Sequence, residues 1–172
     1  LHTHLGETHD EDAYCIEKFK CRPVDYLEET GWMDGRTWLA HGIHFNDEEV
    51  RRLGKAKVGV CHCPTSNMVL ASGICRTQEL ELAGVSVGLG VDGSASNDNS
   101  NLMEGVRHAL MINRLKYGAA AITHLDALRW ATQGSAACLG RSDIGRIEPG
   151  MQADIAFYAL DELRFSGAGD AL

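Results

Sequence analysis

Four short segments of this sequence combine residue types that handle protons and metals. They are His4-Leu5-Gly6-Glu7, Ala40-His41-Gly42-Ile43-His44, Cys61-His62-Cys63-Pro64 and Gly90-Val91-Asp92-Gly93. Each closes an apolar, β-rich run and is followed by a stretch that reads as helix. A β/α barrel gathers its chemistry at the C-terminal ends of its parallel strands, so this rhythm describes part of an active-site rim. Two histidines, a glutamate and an aspartate on such a rim suit metal-assisted hydrolysis.

Each segment has its own chemistry and its own plainer alternative. His4 at a strand end can ligate a metal, and Glu7 can reach the same space as a general acid. Taken alone, the pair also fits a surface histidine and glutamate beside a helix N-terminus. His2 and His4 share a strand face and could form a two-histidine clamp, with His4 the stronger candidate. His41 can bind metal, or hold an attacking hydroxide and polarise substrate; the alternative is a satisfied core histidine. His44, in the loop beyond, is a lesser candidate. Asp92 can ligate a metal and take a proton from its water, whose pKa a metal lowers from 15.7 to about 7; the alternative is a turn aspartate. Cys61-His62-Cys63 lacks a second ligand pair nearby and the usual spacing of a structural zinc site. The glycines around Asp92 carry no phosphate-loop pattern.

The elements that must position these residues are legible in outline. Residues 1–5 read as the tail of a strand, and 10–30 as helix broken near Arg22-Pro23. Thr37–His41, Val58–Cys61 and Val85–Leu89 read as further strands. Asn46 caps a helix whose first turn carries Asp47, Glu48 and Glu49. Helices are expected over 76–83, ended by Gly84, and from Leu102 to Gly118. A last one opens at the capping box Thr123-His124-Leu125-Asp126 and runs to Leu139. The texture changes at Ile144, where a turn-rich stretch leads to a strand at Ile155-Ala156-Phe157-Tyr158. A domain boundary is placed there.

Only four barrel strands are countable, and 172 residues are too few for a closed barrel of roughly 250 plus an accessory domain. The net charge of −8 argues against a nucleic-acid surface, which needs basic residues. No apolar run is long enough to span a membrane as a helix. The six cysteines are irregularly spaced, which suggests reduced thiols in a cytoplasmic protein.

The segments are more specific in order than singly. H-x-x-E, then A-H-G-x-H, then Cys63-Pro64-Thr65-Ser66-Asn67-Met68, then Gly88–Asn97 resembles the amidohydrolase superfamily, in the branch of aminohydrolases acting on purines, pyrimidines and triazines. Ile144–Ile155 also resembles that branch, where the chain leaves the barrel for a small β-sandwich. Glu17-Lys18-Phe19, Arg22-Pro23-Val24, Leu70-Ala71-Ser72-Gly73 and Val91–Asp98 resemble, within the branch, enzymes that deaminate a guanine-type base.

The resemblance implies an α/β fold. Residues 1–144 would be the C-terminal half of a (β/α)8 barrel, strands 5 to 8, and 145–172 the start of the returning β-sandwich. His4 and Asp92 would be metal ligands, with Asp92 also the general base. Glu7 would shuttle a proton to a ring nitrogen, and His41 would orient the hydroxide or the reacting carbon. The cofactor would be one divalent metal, zinc first and iron second. The reaction would be hydroxide attack on an amino-bearing ring carbon with loss of ammonia, giving urate from 8-oxoguanine. The family takes two further ligands from an upstream H-x-H, which His2-Thr3-His4 does not supply because strand-6 residues follow within about 40 positions. The expected partners are therefore a small heterocyclic substrate, the absent N-terminal half of the same enzyme and further copies of it. No substrate-contacting residue is assigned. Alternatives are a triazine- or adenosine-type aminohydrolase or chlorohydrolase, and a non-catalytic barrel module. The cytidine-deaminase type of zinc enzyme needs H-x-E with P-C-x-x-C, which is absent.

Overall fold

The computed structural model describes residues 1–163 and 166. Four strands, β1 (His2–Leu5), β2 (Trp38–His41), β3 (Gly59–His62) and β4 (Val87–Leu89), form one sheet in the order β1-β2-β3-β4. Every neighbouring pair is parallel, with His4 opposite Ala40, Ala40 opposite Cys61 and Cys61 opposite Gly88. Parallel neighbours need a crossover between them, and helices supply it. These are α1 (His9–Phe19) and α2 (Pro23–Glu29) after β1, α3 (Asp47–Ala56) after β2, and α4 (Pro64–Val69) and α5 (Thr77–Leu82) after β3. After β4 come α6 (Leu102–Tyr117), α7 (His124–Arg129) and α8 (Ser135–Cys138), the last two joined by a π-helical turn, Trp130–Gly134.

Local chemistry explains where these helices start and stop. Asn46 caps α3 by accepting from the Glu49 N–H, and the Glu49 carboxylate accepts from the Asn46 N–H. Thr123 and Asp126 do the same for α7. Helix α1 ends at Lys20 in a left-handed cap, and Pro23 opens α2 at its first position, where its missing N–H is needed by no intrahelical bond.

One sheet face carries Leu5, Leu39, Val60, Val87 and Leu89, packed with Val24, Leu53, Leu80 and Trp130 in a single apolar core. The other face holds small residues, among them Gly59, Cys61 and Gly88. Helix α8 lies against this second face: a Cβ on Gly59 would meet Cys138 Sγ at 2.9 Å, and one on Gly88 would meet Ser135 Cα at 3.0 Å. Gly134 permits the close approach, since a Cβ there would lie 1.9 Å from the Val87 carbonyl oxygen. Ser135 Oγ then accepts from the Leu89 N–H at 3.1 Å, satisfying a backbone donor on the outer edge of β4.

Three features differ from the expectation. The segment Ile155-Ala156-Phe157-Tyr158 forms no strand, so the start of a β-sandwich expected over 145–172 is not seen among the described residues. A strand's N–H and C=O groups need a partner edge, and no described residue pairs with this one; Phe157 is left 90% exposed. Residues 164, 165 and 167–172 of that stretch lie outside the described residues. The helix after β3 is preceded by an additional short one, α4. The last helix, expected to run unbroken to Leu139, contains the π turn before it ends at Cys138. No described helix is long and apolar enough to cross a membrane.

Candidate metal-binding active site

The C-terminal ends of β1, β2 and β4 bring three ligating side chains together. One donor atom from each of His4, His41 and Asp92 lies within 4.8 Å of the others. His4 Nε2 is 3.4 Å from Asp92 Oδ1, and His41 Nε2 is 3.7 Å from Asp92 Oδ2. Glu7 joins them from the loop after β1, its Oε2 3.5 Å from His41 Nε2. The tight turn that returns Glu7 toward the sheet needs Gly6, at φ +67° with the Phe45 ring 2.5 Å from where a Cβ would stand.

Backbone conformation shapes the cluster as much as sequence order does. Strand alternation would send His41 to the same face as Leu39, away from His4. His41 instead adopts a left-handed conformation, φ +79°, and its ring lies 5.2 Å from that of His4. Asp92 is also left-handed, at φ +62°. Such positions cost on the order of 1–3 kcal/mol each and persist where surrounding structure holds them.

That structure comes largely from α4. Ser66 donates to Asp92 Oδ2 at 2.6 Å and lies 2.8 Å from the Ser96 hydroxyl. Asn67 Oδ1 stands 2.9 Å from His41 Nδ1, and Asn67 Nδ2 stands 3.5 Å from His62 Nδ1. Asn97 secures the loop by donating to the Val91 carbonyl at 2.8 Å. Sequence reasoning assigned no role to Ser66, Asn67 or Ser96. The available signal was the C-P-x-S-N and A-S-N text, where proline starts a helix immediately beyond a strand end.

Electrostatics favour an ionised Asp92. Burial pushes its pKa up, but the Ser66 hydroxyl, the Gly93 N–H and the neighbouring His41 and His4 outweigh burial and hold it below the ordinary carboxylate range. His41 Nε2 is fully buried without a hydrogen-bond partner. An orphaned ring nitrogen beside an imidazole and a carboxylate fits a metal or a metal-held water, so the residues present suit a divalent cation.

The other histidine candidates are elsewhere. His2 stacks on Trp38 with ring centroids 3.6 Å apart and contributes nothing to the cluster. His44 Nε2 faces the Ser72 carbonyl at 2.9 Å, and its ring lies 3.9 Å from that of His9. Around β3, Cys63 Sγ donates to the Cys61 carbonyl at 3.6 Å, and burial pushes the Cys63 thiol up to about 12.

His62 gives a pH prediction. Burial, then the charge of Lys116 and the neighbouring His41, pull its pKa down to about 3. An unfolded histidine titrates near 6.5. Between these values the unfolded chain binds the extra proton, so His62's contribution to stability is complete above about pH 6.5 and is lost as pH falls toward 3. Urea midpoints measured across this range should decline less steeply for His62→Gln than for the parent. Equal slopes would remove His62 as a cause.

The fold is a run of parallel β/α units with a histidine near the end of β1, a glutamate just after it, a histidine at the end of β2 and an aspartate after β4. Residues 1–169 match the Amidohydrolase family, and the chain belongs to it. It is similar to 8-oxoguanine deaminase of Pseudomonas aeruginosa, with 64% identity over 172 residues, all of this chain and 38% of that protein. It is also similar to 5-methylthioadenosine/S-adenosylhomocysteine deaminase of Haloarcula marismortui, with 42% identity across 99% of this chain and 39% of the relative. Among solved structures, a zinc-bound adenosine deaminase from Xanthomonas campestris superposes with a TM-score of 0.89 at 33% identity, over 98% of this chain and 39% of that one. The zinc complex of atrazine chlorohydrolase from Arthrobacter aurescens gives 0.89 at 35% identity, over 99% of this chain and 38% of that one. The chain thus spans about 38% of the length of such relatives.

Proposed function

We propose that this chain forms part of a metal-dependent deaminase acting on a guanine-type base, 8-oxoguanine in particular. The observation that carries the reading is the convergence of His4, His41 and Asp92 donor atoms within 4.8 Å, with Glu7 beside them. The 64% identity to an 8-oxoguanine deaminase supports the substrate, against 35% to the chlorohydrolase structure.

In this reading His4 and Asp92 hold one divalent metal, zinc before iron, since imidazole and carboxylate suit either. Zinc takes four ligands, and the resemblance implies two more from an H-x-H upstream of His4; the chain spans 38% of its 8-oxoguanine deaminase relative. A metal bound there would supply Lewis acidity and lower the pKa of its water toward neutrality. Asp92, kept ionised by Ser66 and the Gly93 N–H, accepts the proton of the attacking water. Glu7 delivers a proton to the ring nitrogen next to the carbon under attack. His41 orients the attacking oxygen through Nε2. The proton taken up by Asp92 then passes to the amino group, the exocyclic C–N bond breaks to release ammonia, the new hydroxyl returns a proton to Glu7, and 8-oxoguanine becomes urate.

The similarity to the adenosine deaminase and chlorohydrolase structures supports a second reading, an adenosine- or triazine-type hydrolase. Ammonia release from guanine, 8-oxoguanine, isocytosine and aminotriazines by the full-length protein separates the two. Turnover is expected with 8-oxoguanine above the others. Turnover of triazines alone would select the second reading, and no turnover of either guanine would end the first.

A further inference from the structure

The side-chain amide of Asn67 lies between two buried imidazoles and has no part in the reaction as derived. Asn67 is 1% exposed, His41 0% and His62 1%, so water does not compete for these contacts. Asn67 Oδ1 is 2.9 Å from His41 Nδ1, and Nδ2 is 3.5 Å from His62 Nδ1. An amide oxygen only accepts, so in this arrangement His41 carries its proton on Nδ1. The backbone of Asn67 is held as well: its N–H donates to the Cys63 carbonyl and its carbonyl accepts from the Ser72 N–H, each at 2.9 Å.

An opposing pull acts on the other side of the ring. Glu7 Oε2 and Asp92 Oδ2 stand 3.5 and 3.7 Å from His41 Nε2. Two carboxylate oxygens there attract the ring proton to Nε2, which would close the lone pair facing the site. The tautomer of a neutral histidine is set by the bond its other nitrogen makes.

We propose that Asn67 is a positioning residue that fixes His41 as the tautomer protonated at Nδ1, so that the Nε2 lone pair faces Glu7 and Asp92. This rests on the reading of His41 as the group that orients the attacking oxygen. In the placement seen, Asn67 Nδ2 faces His62 Nδ1, which accepts from it; a flipped amide would donate to His41 and reverse the tautomer. An aspartate at 67 would offer an acceptor in either orientation, and a leucine would offer none.

The test uses the full-length holoenzyme labelled with 15N-histidine. Long-range 1H–15N correlation spectra report which nitrogen of each ring bears the proton, and a His41→Gln variant identifies the His41 signals. The parent should show His41 protonated at Nδ1. Asn67→Leu should move the proton to Nε2 and lower kcat about 10- to 100-fold, the usual effect of losing the partner that orients a site histidine, with KM changed less than about twofold. Asn67→Asp should retain the Nδ1 proton and recover most of kcat. A parent protonated at Nε2, or an Asn67→Leu spectrum identical to the parent's, would overturn the proposal. If Asn67→Leu does not fold, the parent and Asn67→Asp spectra decide. If the parent deaminates none of the bases above, the functional reading falls, and the spectra still decide the role of Asn67.

Discussion

Asp92→Asn is expected to lower kcat by about 10²–10⁴-fold, the range for removing a general base, with little change in folding. The substitution preserves shape, and the Ser66 hydroxyl can still donate to an amide oxygen at the position it now occupies, 2.6 Å from Oδ2. What disappears is the negative charge. An amide cannot take the proton of an attacking water, and it is a weaker metal ligand than a carboxylate. Steady-state deamination by the full-length protein measures the first loss, and metal content per chain measures the second. A variant with kcat within tenfold of the parent would refute Asp92 as the base. Full activity with reduced metal would leave it a ligand alone.

Arg22→Leu should destabilise the protein by about 3–5 kcal/mol, because it strands a buried carboxylate. Glu49 is 2% exposed, and Arg22 Nε and Nη2 donate to its two oxygens at 2.6 and 3.1 Å. The same guanidinium donates to Asp12 at 3.0 Å and to the His44 carbonyl at 3.0 Å. One side chain therefore joins α1, the start of α3 and the loop after β2, and this network raises the Arg22 pKa further above its already high value. Denaturant unfolding of the full-length protein gives the loss. Adding Glu49→Leu should restore part of it, since removing both charges relieves the unpaired one. Recovery stays incomplete because Glu49 also accepts from the Asn46 N–H at 2.7 Å. A loss under about 1 kcal/mol would place the pair among ordinary surface bridges.

Much of the scaffold was legible because its signals are local. The four strands are short apolar runs ended by glycine or polar residues, and each is found within two residues of its expected position. Asn46 and Thr123 announce helix starts, since capping depends on side chains three residues apart. The segment at 155–158 shows the limit of such signals. Its Ile-Ala-Phe-Tyr text has strand character, but a strand exists only with a partner edge, and none of the described residues provides one. Helix α4 was missed because its six residues, Pro64–Val69, are too few to show apolar periodicity, and what Ser66 and Asn67 do there depends on Asp92 and His41, which are distant in sequence.

The sequence by itself determined where the four candidate residues stand: His4, Glu7, His41 and Asp92 lie at or just beyond strand ends, and strand ends follow from local patterning. Only the tertiary structure decided which way they point. His41 lies on the wrong face by strand alternation and reaches His4 and Glu7 with a left-handed backbone, φ +79°. Its tautomer depends on Asn67, 26 positions away, and the charge state of Asp92 depends on Ser66, also 26 positions away. Histidine and aspartate tolerate a left-handed backbone better than most side chains, but a conformation costing on the order of 1–3 kcal/mol is not selected by that preference alone. It is held by hydrogen bonds between distant segments, which exist only once the sheet and its helices have assembled.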